Sequence, residues 1–278
     1  LADELLSASI RARPDFAPAL TVRGRILLSR YQWDAAKSEA KAVLKAYGIP
    51  VAESLIAATP QEAAERASEL PPPYALKILS PDITHKTDVG GVALGLSSPE
   101  AVAEAARKMN ERVAAAAPNA RLAGFVVQPM IVRPRARELI AGLAVDPTFG
   151  PVVLFGQGGV AVEVLADRVV GLPPLNRGLA LEMISRTRVS ALLGAYRDRP
   201  AADAEGVAEV LERLSLMAVE LPQLAELDIN PLLADEDGVI ALDARISLTS
   251  ERKRMAIRPY PGELSGPLPL PGADSVWM

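Results

Sequence analysis

From residue 50 onward the hydrophobic period of this chain switches repeatedly between helical three- and four-residue spacing and short apolar, β-branched runs. A chain written that way is confined to mixed architectures in which helices cover sheets. Residues 60–69 carry helical spacing, residues 74–79 read as extended, and residues 91–96 as extended again. Ser98 then offers an N-cap, with Pro99 at the first helical position and Glu100 and Glu104 in the early turns of a helix running towards Ala117. Residues 121–130, 137–145 and 152–155 read as three more strands, and a second apolar lobe begins with them. Residues 179–185 and 207–220 return to helical period. Residues 224–229 and 239–242 read as short strands around a solvated acidic turn at residues 235–238. The expected class is α/β, in the sense of α+β lobes.

The two ends differ from this middle. Residues 1–48 read as helical from Leu5, Leu6 and Ile10 and later from Ala40, Val43, Leu44 and Tyr47, with Gly48 and Pro50 as a stop; the last helix should pack on a sheet. One helical-repeat unit is conceivable there, but no second copy follows. After Leu248 a charged stretch gives way to Pro259, Pro261, Pro267, Pro269 and Pro271, which reads as a linker or tail without a regular ladder.

Composition removes whole classes of chemistry. The 278 residues contain no cysteine and one histidine, His85, so thiolate sites, cysteine nucleophiles and multi-histidine metal centres are excluded. A formal charge of −4 gives no general attraction for nucleic acid or an anionic membrane, so any anion site must be local. No apolar run reaches the roughly 20 residues of a membrane helix. The start, with Asp3 and Glu4, lacks the basic region of a secretory signal, which suggests a cytoplasmic protein or a fragment of a longer one.

Three clusters could carry chemistry. In Lys77-Ile-Leu-Ser-Pro-Asp-Ile-Thr-His-Lys-Thr-Asp-Val-Gly-Gly91, a lysine inside an apolar strand is followed by hydroxyls and the pair Gly90-Gly91. That set suits a polyphosphate, or else a snorkelling lysine beside an ordinary hairpin turn. His85 in this loop is either a phosphoryl nucleophile or general base, or an inert surface histidine. In the second cluster, alternation places Glu226, Asp228 and Asn230 on one strand face, and a turn brings Asp243 back beside Asn230. These oxygens suit Mg²⁺, or they are solvated groups at a capped turn. The third, Phe149-Gly-Pro-Val-Val-Leu-Phe-Gly-Gln-Gly-Gly-Val160 with Glu163 and Asp167, is a glycine-rich strand exit that permits close approach of a ligand. No serine-hydrolase elbow is present.

The order of several blocks carries a family resemblance. Ala40-Lys-Ala-Val-Leu-Lys-Ala-Tyr-Gly-Ile-Pro50, the block from Lys77 to Gly91, Val127-Gln-Pro-Met130, Glu138-Leu-Ile-Ala-Gly142, Asp146-Pro-Thr-Phe-Gly-Pro151, Phe155-Gly-Gln-Gly-Gly159, Glu226-Leu-Asp-Ile-Asn-Pro-Leu232 and Asp243-Ala-Arg-Ile246 follow one another. Over residues 38–248 this succession resembles the ATP-grasp part of the NDP-forming acyl-CoA synthetases. It corresponds to the β subunit of ADP-forming acetyl-CoA synthetase, with the succinyl-CoA synthetase β subunit a distant relative. The resemblance implies an ATP-grasp fold in two lobes, residues 38–126 and 127–250, with ATP or ADP between them. A helical segment of unknown role, residues 1–37, precedes them, and the tail, residues 251–278, follows.

By the same resemblance Lys77 contacts phosphates and Gly90-Gly91 covers them. Val127, Gln128 and Met130 form the hinge under adenine, Glu138 reaches the nucleotide, and Asn230 and Asp243 hold Mg²⁺. His85 takes the place of a histidine that relays phosphate, with Thr87 where serine is usual. The implied reaction joins acyl-CoA, ADP and phosphate to acid, CoA and ATP, through a phosphohistidine. The CoA-binding domain or subunit it needs is a partner outside this sequence. Two stretches depart from the family, Pro71-Pro-Pro73 and Gly194-Ala-Tyr-Arg-Asp198. Met255-Ala-Ile-Arg-Pro-Tyr-Pro261 looks like a junction to a C-terminal GNAT acetyltransferase domain, which leaves a nucleotide- or acyl-CoA-sensing module as the alternative.

Overall fold

In the computed structural model of the chain the residues described are 36–80, 82–83, 86–159, 167–197, 199–249, 267–270 and 273–277. Expectations that fall on residues 1–35, Thr84, His85, Glu163, Asp198 and the junction at Met255 lie outside them.

Two antiparallel sheets organise the protein. The smaller joins β1 (Leu55–Ala57), β4 (Gly124–Pro129), β2 (Tyr74–Leu79) and β3 (Val92–Leu96) in the order β1-β4-β2-β3. Helices α2 (Pro60–Ser68) and α3 (Pro99–Ala116) cover it. Helix α3 starts where Ser98 accepts the Ala101 amide at 3.2 Å, with Pro99 in its first turn. It buries Val102, Ala106, Met109 and Val113, a three- and four-residue stripe, against Phe125, Val127, Leu76 and Ile78 of the sheet. Replacing Ser98 by alanine orphans that amide and should cost about 1 kcal/mol, read as a lower urea midpoint at unchanged slope.

The larger sheet runs β10 (Ala244–Leu248), β8 (Leu224–Asp235), β5 (Arg137–Asp146), β6 (Gly150–Gln157), β7 (Arg168–Gly171), with β9 (Gly238–Ala241) also paired to β8. Helices α4 (Arg177–Ser185) and α6 (Ala204–Glu220) pack on it, and the short α5 (Ser190–Leu193) joins its core through Leu193. Gly142 sits at the middle of β5, where an added Cβ would lie 2.2 Å from the Leu227 carbonyl oxygen; only glycine lets β5 and β8 close there.

Helix α1 (Ala36–Ala46), expected in the lobe 38–126, packs instead against β10. Ala40, Val43, Leu44, Tyr47 and Ile49 belong to the core of the larger sheet, and Val51 bridges Ala241. The chain therefore leaves the larger body only after Ala52, whose amide donates to Ala241.

Two further differences have local causes. Strand β8 does not stop at Ile229 but continues through Pro231 to Asp235, the ladder with β5 absorbing the interruption by a register shift. Asp235, read as solvated, is buried: it accepts from Arg133 at 2.8 Å and from the Asp237 amide at 3.1 Å. In the tail, β11 (Pro267–Leu270) pairs with β12 (Ala273–Trp277) despite its prolines. The register shifts between Leu268 and Leu270, around Pro269.

Candidate functional site

Lys77 and Asp243 meet where the two sheets face each other. Lys77 stands on β2 of the smaller sheet, its side chain 18% exposed, and its Nζ lies 3.5 Å from Oδ2 of Asp243, which is 40% exposed at the end of the β9–β10 turn. The Asn230 amide donates to the Asp243 carbonyl at 3.3 Å, so the expected juxtaposition of these two residues is present. Asp243 Oδ1 accepts from the Ala244 amide at 3.0 Å. Asp228, two residues before Asn230, is half-buried; desolvation raises its pKa, Arg245 opposite opposes the rise, and Glu226 and Asp243 reinforce it.

A cavity of about 60 Å³ opens at this junction, lined by Lys41, Lys77, Lys86, Arg245, Gln128 and Asp243, with Ser54, Ser80 and Val126 among its other walls. At roughly 10–15 Å³ per water it has room for a phosphoryl group rather than a whole nucleotide. Its charged walls are cationic apart from one carboxylate. Desolvation, and after it the Lys77 charge, lowers Lys41 to about 8; Asp243 opposes this and Lys86 adds to it.

The glycine pair forms a closed turn. Gly90 adopts φ +67°, and its amide donates to Thr87 O while that of Gly91 donates to Lys86 O at 2.7 Å. Both amides are spent inside the turn. A Cβ on Gly91 would press within 2.5 Å of Ile78 Cδ1 and 2.9 Å of Lys86 O, so glycine here lets the turn pack on β2 and sets Lys86 on the cavity wall.

The hinge residues divide. On β4 alternation turns Val126 and Gln128 to the cavity, while Val127 is fully buried in the core of the smaller sheet. The Met130 amide donates to Pro73 O at 2.7 Å, so it is engaged already. Glu138, at the start of β5, is exposed and lies away from the cavity, beside the glycine-rich strand exit. Gly158 donates to its carbonyl at 2.8 Å, and a Cβ on Gly159 would meet its carboxylate at 2.7 Å.

Oxygen donors from Asn230 and Asp243 fit a hard divalent cation. Among the described residues no group of three His, Cys, Asp or Glu side chains forms a metal cluster. An ion held by this pair would complete its shell with water and phosphate oxygens, which is how Mg²⁺ is commonly bound. Sequence reasoning passed over Lys41, Ser54 and Arg245. Arg245 lies on a strand that no local pattern marked, and Lys41 looks like any lysine bordering a buried helical stripe.

Comparison with known proteins agrees with this geometry. Residues 28–248 match the ATP-grasp domain family. The chain is 40% identical over 210 residues to the acetate–CoA ligase [ADP-forming] I subunit beta of Pyrococcus furiosus, covering 76% of this chain and 90% of that subunit. It is 37% identical to the acetate–CoA ligase [ADP-forming] I of Archaeoglobus fulgidus, covering 77% of this chain but 31% of that longer protein. Among solved structures, Ca. Korarchaeum cryptofilum dinucleotide-forming acetyl-coenzyme A synthetase 1 superposes with a TM-score of 0.69 at 36% identity, covering 81% of this chain and 99% of that one. That protein was solved with coenzyme A and Mg-AMPPCP, its phosphohistidine segment pointing towards the nucleotide binding site.

Proposed function

The chain belongs to the ATP-grasp domain family, in the branch of the ADP-forming acyl-CoA synthetases, and on that premise we propose that it is the nucleotide-binding part of such an enzyme. The assembled enzyme interconverts acyl-CoA, ADP and phosphate with free acid, CoA and ATP. The CoA-binding domain or subunit is the partner, and the isolated chain binds nucleotide without turning over. Its substrates are metabolites of the cytoplasm, where we place it.

One observation carries this reading: a cation-lined cavity between the two sheets, with Lys77 from the smaller sheet paired to Asp243 from the larger. The nucleotide phosphates enter the cavity and the base lies outside it, against β4 near Gln128. Lys77 and Lys86 hold phosphate oxygens, the Gly90-Gly91 turn fixes Lys86, and Glu138 with Gly158 and Gly159 borders the nucleotide from the larger sheet. Asn230 and Asp243 would hold Mg²⁺, which when bound neutralises phosphate charge. The lobes divide near residue 127, with α1 attached to the second. His85 relays the phosphoryl group between sites.

Titrating the isolated chain with ADP and Mg²⁺ tests this directly. Calorimetry should show binding, and the melting temperature should climb with the logarithm of nucleotide concentration above the dissociation constant. Absence of both heat and thermal shift at millimolar nucleotide overturns the reading.

A further inference from the structure

Lys41 is a cation of the cavity with no task assigned so far. Lys41 is anchored in the core of the larger sheet through its neighbours Ala40, Val43 and Leu44, yet its Nζ reaches Gln128 Oε1 on β4 of the smaller sheet at 3.4 Å and the Ala52 carbonyl at 3.2 Å. Both acceptors are neutral. An ammonium has three N–H donors, and Lys41 also lines the cavity. The lone carboxylate on that wall, Asp243, already faces Lys77, while Lys77, Lys86 and Arg245 all add positive charge. Drawing an ammonium out of water towards other cations is unfavourable unless an anion joins them. Desolvation first and the Lys77 charge next lower Lys41 to about 8, in the direction that imbalance requires. A lysine serving only to hold Ala52 and Gln128 would not need a charge, because a neutral amide bonds such acceptors at lower desolvation cost.

We propose that Lys41 is a phosphate-binding residue of this site, its ammonium joining Lys77 on the di- or triphosphate of the bound nucleotide. This rests on the nucleotide-binding reading above and extends it. Because Lys41 is carried by the larger sheet's core and Lys77 by the smaller sheet, an anion held by both is held by both halves of the protein at once. The Lys41 contact to Gln128 is then the resting partner that the ammonium keeps until phosphate arrives.

The test compares wild type, Lys41→Met and Lys41→Gln in the full chain, with ADP and inorganic pyrophosphate as probes. Both substitutions should weaken ADP binding by roughly tenfold or more, the loss of one charge-assisted hydrogen bond, and should remove the thermal shift given by pyrophosphate. The ligand-free melting temperature should stay level or rise in both variants, since a desolvated charge beside other cations has gone. A purely structural lysine behaves oppositely: the ligand-free melting temperature falls and affinity changes little, and that pattern overturns the proposal. ADP affinity unchanged in either folded variant overturns it as well, leaving the nucleotide-binding reading intact. Wild type that binds neither ADP nor pyrophosphate overturns the parent reading instead.

Discussion

ATP formation by the assembled enzyme is expected to disappear when His85 is replaced by alanine, while binding of Mg-ADP to this chain is unchanged. His85 is the only imidazole in the 278 residues, so no other side chain supplies a ring nitrogen with a free lone pair at physiological pH. The described residues that flank the Thr84-His85 pair in the sequence, Ile83 and Lys86, both line the cavity. Phosphoryl transfer depends chiefly on positioning and on stabilising charge at the transferred oxygens, and the lysines of this cavity offer that stabilisation. Under the proposed roles binding and chemistry separate: the ammonium groups would hold the nucleotide, and the imidazole would take the phosphoryl group from its donor and pass it to ADP. The measurement supplies the CoA-binding partner with acetyl-CoA, ADP and phosphate and follows ATP. Turnover by His85→Ala at the wild-type rate sinks the relay, and a wild type that binds ADP but makes no ATP with its partner favours a sensing role.

Most of the fold was readable because its elements keep their own period. Strands β2, β4 and β5 and helices α2, α3 and α6 lie where alternation and capping residues put them. The edge strand β3 was read as well, but most edges were not, since an edge strand has one neighbour and a weak pattern. Thus β1, β7 and β10 were missed, and Pro231 looked like the end of β8 although the following residues still found partners in β5 and β9. Which sheet a helix covers is a tertiary matter that period alone cannot give, so α1 was grouped by sequence order with the wrong neighbour.

The site was legible in part for the same reason. Lys77 announced itself as a charge in an apolar strand, and the pairing of Asn230 with Asp243 followed from the turn between them. The backbone donors were not legible, because a glycine pair shows that a turn is tight but not where its amides point. Those of Gly90 and Gly91 close their own loop. Lys41 was invisible for a different reason: its significance comes from the charges of Lys77, Lys86 and Asp243, which no local pattern brings near it. The stretch from Met255 to Pro261, read as a junction to an acetyltransferase domain, lies outside the described residues.

Asp243→Asn should abolish the gain in ADP affinity that Mg²⁺ confers and tighten ADP binding in its absence. In the ligand-free protein the Asp243 carboxylate and the Lys77 ammonium face each other at 3.5 Å, both partly exposed to water. Such a pair contributes only about 0–1 kcal/mol, so it separates readily when each group is offered a stronger partner, phosphate for the lysine and a divalent cation for the carboxylate. Asparagine keeps an oxygen to accept from the Ala244 amide, which preserves the local turn. It removes the competitor for Lys77 and a negative charge that repels phosphate, so metal-free binding should improve by up to about fivefold, the equivalent of about 1 kcal/mol. The metal-dependent increment vanishes at the same time, because a neutral amide oxygen is a far weaker ligand for Mg²⁺ than a carboxylate. Calorimetric titration of ADP with Mg²⁺ and with chelator, on both proteins, reads the two effects separately. Equal weakening under both conditions would mean that Asp243 supports the fold rather than the metal, and the assignment of the Asn230 and Asp243 pair would fall.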